Sequence, residues 1–119
     1  MKYILNTTES DFELQRLNSL REYPELTNED ADPYLEKIVS LAAKVCDVPI
    51  AAITVLDEQR QIFKAIYGLE IKGTERSLAF CNYTIKQDKI FEVNDAKCDR
   101  RFQRNPLVQS EPYIRFYAG

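Results

Sequence analysis

The side chains best equipped for chemistry are three cysteines, Cys46, Cys81 and Cys98, in a chain of 119 residues that contains no histidine. Their separations of 35 and 17 residues match neither metal-ligand nor redox-motif spacing, so no metal site is expected. An odd number of widely spaced thiols also argues against a disulfide framework. Without histidine, Ser-His-Asp and Cys-His catalysis, His-ligated haem and a phosphoacceptor histidine are all excluded within this chain. Cys81 is the one candidate for reactivity, because it falls in the first turn of an expected short helix. Cys46 borders an apolar helical stripe and reads as a small core residue.

A second group with chemical potential is Lys97, Arg100, Arg101 and Arg104, interleaved with Asp95 and Asp99. It reads either as a solvated loop face or as an anion-binding patch. The wider charge pattern disfavours a nucleic-acid surface. Residues 1–32 carry three basic and eight acidic side chains, and the other 13 basic and 11 acidic residues leave 33–119 near neutral. No apolar run approaches the roughly 20 residues that span a bilayer, and no basic segment followed by an apolar one marks a secretory signal. The expected location is cytoplasmic. Neither a Gly-rich phosphate loop nor a metal motif is present, and no cofactor is expected.

These residues must be positioned by a single domain, large enough to bury roughly two-thirds of its unfolded surface. Tyr3-Ile4-Leu5 predicts at most a short edge within a loose start. A lead-in segment, 1–32, holds a helix near 10–22 capped by Ser10 or Asp11 and stopped by Pro24. Leu14, Leu17 and Leu20 are its apolar positions. They serve either packing on the same domain or pairing with a second copy. Asp32-Pro33 then starts a strong helix, an acceptor cap followed by proline at the first helical position. Leu35, Ile38, Leu41, Ala42 and Val45 recur at helical spacing and should face a sheet.

Residues 50–68, IAAITVLDEQRQIFKAIYG, predict a hairpin. The first run is β-branched and apolar, and Asp57-Glu58-Gln59-Arg60 supplies the turn. In the second run Ile62, Lys64 and Ile66 share one face, while Phe63, Ala65 and Tyr67 share the other. Leu69–Arg76 reads as loop, and Ser77 as the cap of a short helix holding Phe80, Cys81, Thr84 and Ile85. Ile90–Val93 predicts a short strand, and 97–112 a long polar connection with a helical turn near Arg100–Phe102. Tyr113–Tyr117 begins a last strand.

Several blocks, in order, resemble GAF domains, the sensory modules that precede kinases, cyclases and transcriptional regulators. They are VPIAAITVLDEQRQIFKAIYGLE, SLAFCNYTI (77–85), VNDA (93–96), DRRF (99–102), NPLV (105–108) and IRFYAG (114–119). With the lead-in before the Pro33 helix, the resemblance covers roughly residues 12–119. It implies an α/β (α+β), GAF/PAS-like fold, an antiparallel sheet with helices packed on it, spanning 33–119 and incomplete at its carboxyl end. Ligands in that family bind between the sheet and its covering layer. The matching positions are Phe80, Cys81, Tyr83, Asp95, Arg115 and Tyr117, a set suited to a small planar molecule bearing a charge. Alternatively, Asp95 and Arg115 pair with each other or cap backbone, and the aromatics fill core.

The function this implies is a non-catalytic sensory or regulatory module of a bacterial signal-transduction protein. It would bind a small molecule, or form a homodimer through Leu14, Leu17 and Leu20, to control an output domain such as a histidine kinase or cyclase. A ligand-free dimerisation scaffold is the alternative. A remoter one is a cysteine-based reductase of free methionine sulfoxide, which the lack of cysteine at Glu111–Ile114 disfavours.

Overall fold

The structure, a computed structural model, describes residues 9–119. The expected edge at Tyr3–Leu5 lies outside them. Helix α1, Glu9–Arg21, carries Glu9 and Asp11 in its first turn and Arg21 in its last, the arrangement the helix dipole favours. It buries Leu17. A 3₁₀ turn at Pro24–Leu26 follows. Helix α2 spans Pro33–Cys46. Asp32 Oδ1 accepts from the backbone N–H groups of Tyr34 and Leu35, and Pro33 occupies the first turn, as the sequence predicts. Asp47, at φ 52°, closes the helix in the left-handed region.

Strands β1, Ala51–Leu56, and β2, Arg60–Tyr67, form the expected antiparallel hairpin. Its register runs from Ala51 opposite Tyr67 to Leu56 opposite Gln61, with an irregularity between Ile53 and Thr54. Asp57 holds the turn, its Oδ1 accepting from the N–H groups of Gln59 and Arg60. Gly68 leaves β2 at φ 85°, where a Cβ would lie 1.8 Å from the Pro49 carbonyl oxygen.

The segment read as a loop contains a strand instead. Gly73–Glu75, β3, pairs with β2 and completes a three-stranded sheet. A Cβ at Gly73 would approach the Gln61 carbonyl oxygen to 2.6 Å, so glycine lets the two backbones close up. Ser77 does not cap the next helix, because it lies within a 3₁₀ turn, Arg76–Leu78; helix α3 covers only Cys81–Thr84. Strand β4 is Glu92–Val93. The long connection makes the expected helical turn, where the Phe102 and Gln103 N–H groups donate to the Asp99 carbonyl, and adds a 3₁₀ turn at Ala96–Cys98 and helix α4, Pro106–Gln109. Asn105 specifies α4, its side chain accepting from the Leu107 N–H ahead of Pro106. The final strand, β5, is confined to Tyr117–Ala118, with Tyr113 in the left-handed region at φ 56°. It pairs with β4 in a second, two-stranded sheet.

The architecture is α+β, as expected, with antiparallel pairing throughout and two small sheets in place of one. Helix α2 packs on β1 and β2. Its sheet-facing stripe is not the expected one. Val39 and Ala43 are buried, whereas Ile38, Leu41, Ala42 and Val45 are exposed. Small side chains let the helix approach the sheet closely, and the larger ones turn outward. Cys46 is exposed at the end of α2 and is not core. The lead-in is tied to the rest by polar contacts: Arg16 donates to the Leu56 carbonyl, Arg76 pairs with Glu13, and Lys64 reaches Glu25, Asn28 and Asp30. Among the described residues no helix is long and apolar enough to cross a membrane.

Candidate functional site

Helix α3 sits over β1 and brings its side chains against both sheets. Thr54 Oγ1, on β1, donates to Cys81 Sγ at 3.4 Å. The Tyr117 hydroxyl, on β5, donates to the same sulfur at 3.2 Å. Thr84 Oγ1 lies 2.7 Å from the Tyr117 oxygen. With the phenol proton directed to sulfur, the threonine hydroxyl serves as donor to the phenol oxygen. Burial, and then the neighbouring Cys81, push the Tyr117 pKa well above that of an ordinary phenol, so this hydroxyl stays a neutral donor at all ordinary pH values.

Aromatic rings fill the space beside this chain of polar groups. Phe80 lies parallel to Phe102, with centroids 4.1 Å apart and planes within 5°. Tyr117 leans on Phe80 at 5.1 Å. Tyr83 stacks on Phe91 at 5.6 Å and meets Phe102 edge-on at 5.1 Å. The Arg101 guanidinium carbon lies 5.0, 5.4 and 5.5 Å from the centroids of Phe91, Phe102 and Tyr83. Asp99 holds that guanidinium with two hydrogen bonds, which raises the Arg101 pKa further and holds the Asp99 carboxyl below its usual range.

Four of the six residues implied by the resemblance, Phe80, Cys81, Tyr83 and Tyr117, therefore converge on one cluster. Asp95 and Arg115 do not join it. The Asp95 carboxylate accepts from the Lys97 N–H and, more loosely, from Cys98 Sγ at 3.5 Å, and this raises the Cys98 pKa. Arg115 donates to the carbonyls of Val108 and Ile114. No ion pair joins the two among the described residues. Their backbones meet one residue away, where the Ala96 N–H donates to the Arg115 carbonyl. Rings occupy the interior here, with Phe80 and Phe102 both buried. Surface depressions are found away from this cluster. One of about 400 Å³ runs between α1 and the β1–β2 turn, bordered by Leu17, Leu20, Arg21 and Asp57.

Of the proposed dimer positions, Leu17 is covered within the chain, Leu20 partly so, and Leu14 is exposed. Of the basic group, Arg101 is engaged by Asp99, while Lys97, Arg100 and Arg104 stand exposed. Residues that sequence reasoning did not assign to the site are Thr54, Phe91 and Phe102, and Arg101 was read only as part of a basic loop group; the fold assembles them. All three cysteines are unpaired thiols, and among the described residues no group of His, Cys, Asp or Glu could hold a metal ion.

The chain matches no protein-family profile. Among curated proteins it resembles cyclic di-GMP phosphodiesterase PA2567 of Pseudomonas aeruginosa, with 50% identity over 94 residues. That alignment takes in 79% of this chain and 16% of the relative, so the chain spans about a sixth of the protein it matches. The finding corrects the functional expectation. The relative is named for an enzymatic activity, which stands against the expected non-catalytic sensory module of a kinase or cyclase.

Proposed function

We propose that this chain is a segment of a cyclic di-GMP phosphodiesterase, a protein that hydrolyses a phosphodiester bond of that cyclic dinucleotide. The observation that supports this is the 50% identity with a protein of that name over most of the chain. Because the match spans only a sixth of the relative, the activity is assigned to the longer protein of which these residues form part. Within it, this segment supplies an α+β unit of GAF-like fold, a reading that rests on the ordered sequence blocks. A cytoplasmic location belongs to the same proposal.

The test is to purify the longer natural protein and incubate it with cyclic di-GMP, separating the nucleotides by liquid chromatography. Conversion to the linear dinucleotide is the expected result. A folded protein that leaves the cyclic dinucleotide intact, across a range of pH and divalent cations, would overturn the assignment.

A further inference from the structure

The side by which α1 docks is charged where a packed helix is ordinarily apolar. Glu9, Glu13, Arg16 and Leu20 recur every three or four residues along that side, with Leu17 beside them. Glu9 pairs with Lys86, just past α3, at 2.8 Å. Glu13 pairs with Arg76, in the 3₁₀ turn after β3, and Arg16 donates to the Leu56 carbonyl at the end of β1. Arg21 reaches Glu58 in the hairpin turn at 3.2 Å. Of the thirteen residues of α1 only Leu17 is buried, while Phe12 and Leu14 are 62% and 55% exposed. We propose that α1 is a releasable strap: it undocks as a unit while the sheet and α2 stay folded, and an ionic clasp sets how often it does so.

Both parts are built for that separation. A helix of this length is marginal in water by itself, so α1 keeps its shape only while docked, and release and melting of the helix are one event. The remainder has cores of its own. Helix α2 packs Val39 and Ala43 on β1 and β2, and the buried cluster of Phe80, Phe91, Val93, Ala96, Phe102 and Val108 takes no residue from α1. The strap also has a fixed end. Tyr23 leaves helical geometry at φ −126°, Pro24 begins a new turn, and from Glu25 onward Lys64 holds the connector. Motion of α1 therefore ends at residues 22–24 and does not pull on α2. Release uncovers Arg76 and Lys86, which line a depression of about 590 Å³ with Arg60, Ser77 and Asn82. The docked helix thus neutralises, with its own carboxylates, two cations that the open state presents.

Salt separates an ionic clasp from an apolar seat. In the pairs Glu9–Lys86 and Arg21–Glu58 each side chain is about half exposed or more, so both pairs face the solvent ions. Raising the ionic strength from about 10 mM to about 1 M shortens the screening length from about 30 Å to about 3 Å. An exposed pair shifts the docking equilibrium by up to about fivefold, and screening removes that contribution.

Hydrogen–deuterium exchange read by mass spectrometry on the longer natural protein tests the proposal. Peptides covering α1 should exchange faster than those covering β1 and β2. Going from about 10 mM to about 1 M sodium chloride should speed α1 at least about fivefold, with β1 and β2 as the unchanging internal reference. Glu13→Lys, which sets a lysine against Arg16 and Arg76, should leave α1 exchanging like an unfolded peptide with β1 and β2 still protected. Lys86→Glu should speed α1 alone. Exchange of α1 as slow as that of the sheet, or indifferent to salt or to both substitutions, overturns the proposal. So does loss of protection throughout the domain in Glu13→Lys, because α1 would then belong to the cooperative core. None of these outcomes depends on phosphodiesterase activity.

Discussion

Lys64 is the residue whose replacement tests the fold most directly. It lies in the middle of β2, is only 6% exposed, and carries a full charge. Its ammonium is accommodated as a bound cation would be. Nζ donates to the carbonyls of Glu25 at 3.1 Å, Asn28 at 3.2 Å and Asp30 at 3.1 Å, and to Asn28 Oδ1 at 2.9 Å. One side chain on the sheet thus fixes the acidic connector between α1 and α2. Lys64→Met keeps the length and removes the charge. Hydrogen bonds to a charged donor contribute about 1.5–3 kcal/mol each, but the four are not additive. The released carbonyls belong to an exposed connector that water can reach, and methionine recovers some apolar burial. A net loss of about 3 kcal/mol is the reasoned figure.

For a domain of this size that loss corresponds to a melting temperature lower by about 12 °C. Thermal unfolding followed by circular dichroism reads it. Limited proteolysis supplies a local readout, because the connector over residues 25–32 should become the first site of cleavage. A double-mutant cycle with Asn28→Ala should return a coupling of about 1 kcal/mol or more. A variant that melts within about 4 °C of the wild type and resists protease equally would refute the clamp.

Other outcomes follow from the same geometry. Hydrogen bonds from Arg16 and then Arg76 pull the Glu13 carboxyl from its ordinary value near 4.5 down to about 2. A carboxylate whose pKa is depressed on folding adds stability above its unfolded pKa and loses it as pH falls through the folded one. Wild-type stability should therefore decline between pH 4.5 and 2, and the Glu13→Gln deficit seen at pH 7 should close over that window in a series of thermal melts. An unchanged gap at pH 2 would show that Glu13 acts other than through its charge. Phe102→Ala removes a fully buried ring that stacks on Phe80, and should cost about 3–5 kcal/mol by urea unfolding. A loss under about 1.5 kcal/mol would mean that the aromatic cluster can collapse around the gap.

The hairpin and the cap of α2 were legible because each rests on local chemistry: an Asp-led turn beside an apolar alternation, and a carboxylate before proline; Ser10 and Asp11, expected to cap α1, lie inside it. Strand β3 was not, because Gly73-Thr74-Glu75 has no strand character of its own and is a strand only through pairing with β2. The buried face of α2 was misread for a different reason. Leu35, Ile38, Val39, Leu41, Ala42, Ala43 and Val45 place apolar residues on two sides of one helix, and periodicity cannot say which side meets the sheet. Close packing selected the small pair Val39 and Ala43. Lys64 did leave a signal. A lysine between Ile62 and Ile66 on one face of a strand must find oxygen partners once that face is buried, although nothing in the sequence says that Glu25, Asn28 and Asp30 provide them.

The same limit applies to the site. Resemblance alone brought Phe80, Cys81, Tyr83 and Tyr117 together, and physical reasoning explains afterwards why they belong together. The two sheets share no strand pairing. Side chains must therefore span β1 and β5, and at this point the Thr54–Cys81–Tyr117 hydrogen bonds do so. Sulfur suits that position because its long bonds and diffuse lone pairs accept two hydroxyl donors at 3.2 and 3.4 Å, distances that a serine oxygen would have to shorten by moving one sheet toward the other. The cysteine that reads in sequence as the one reactive group is placed by the fold as an acceptor joining two layers. Its conformational role is satisfied without any reaction at sulfur.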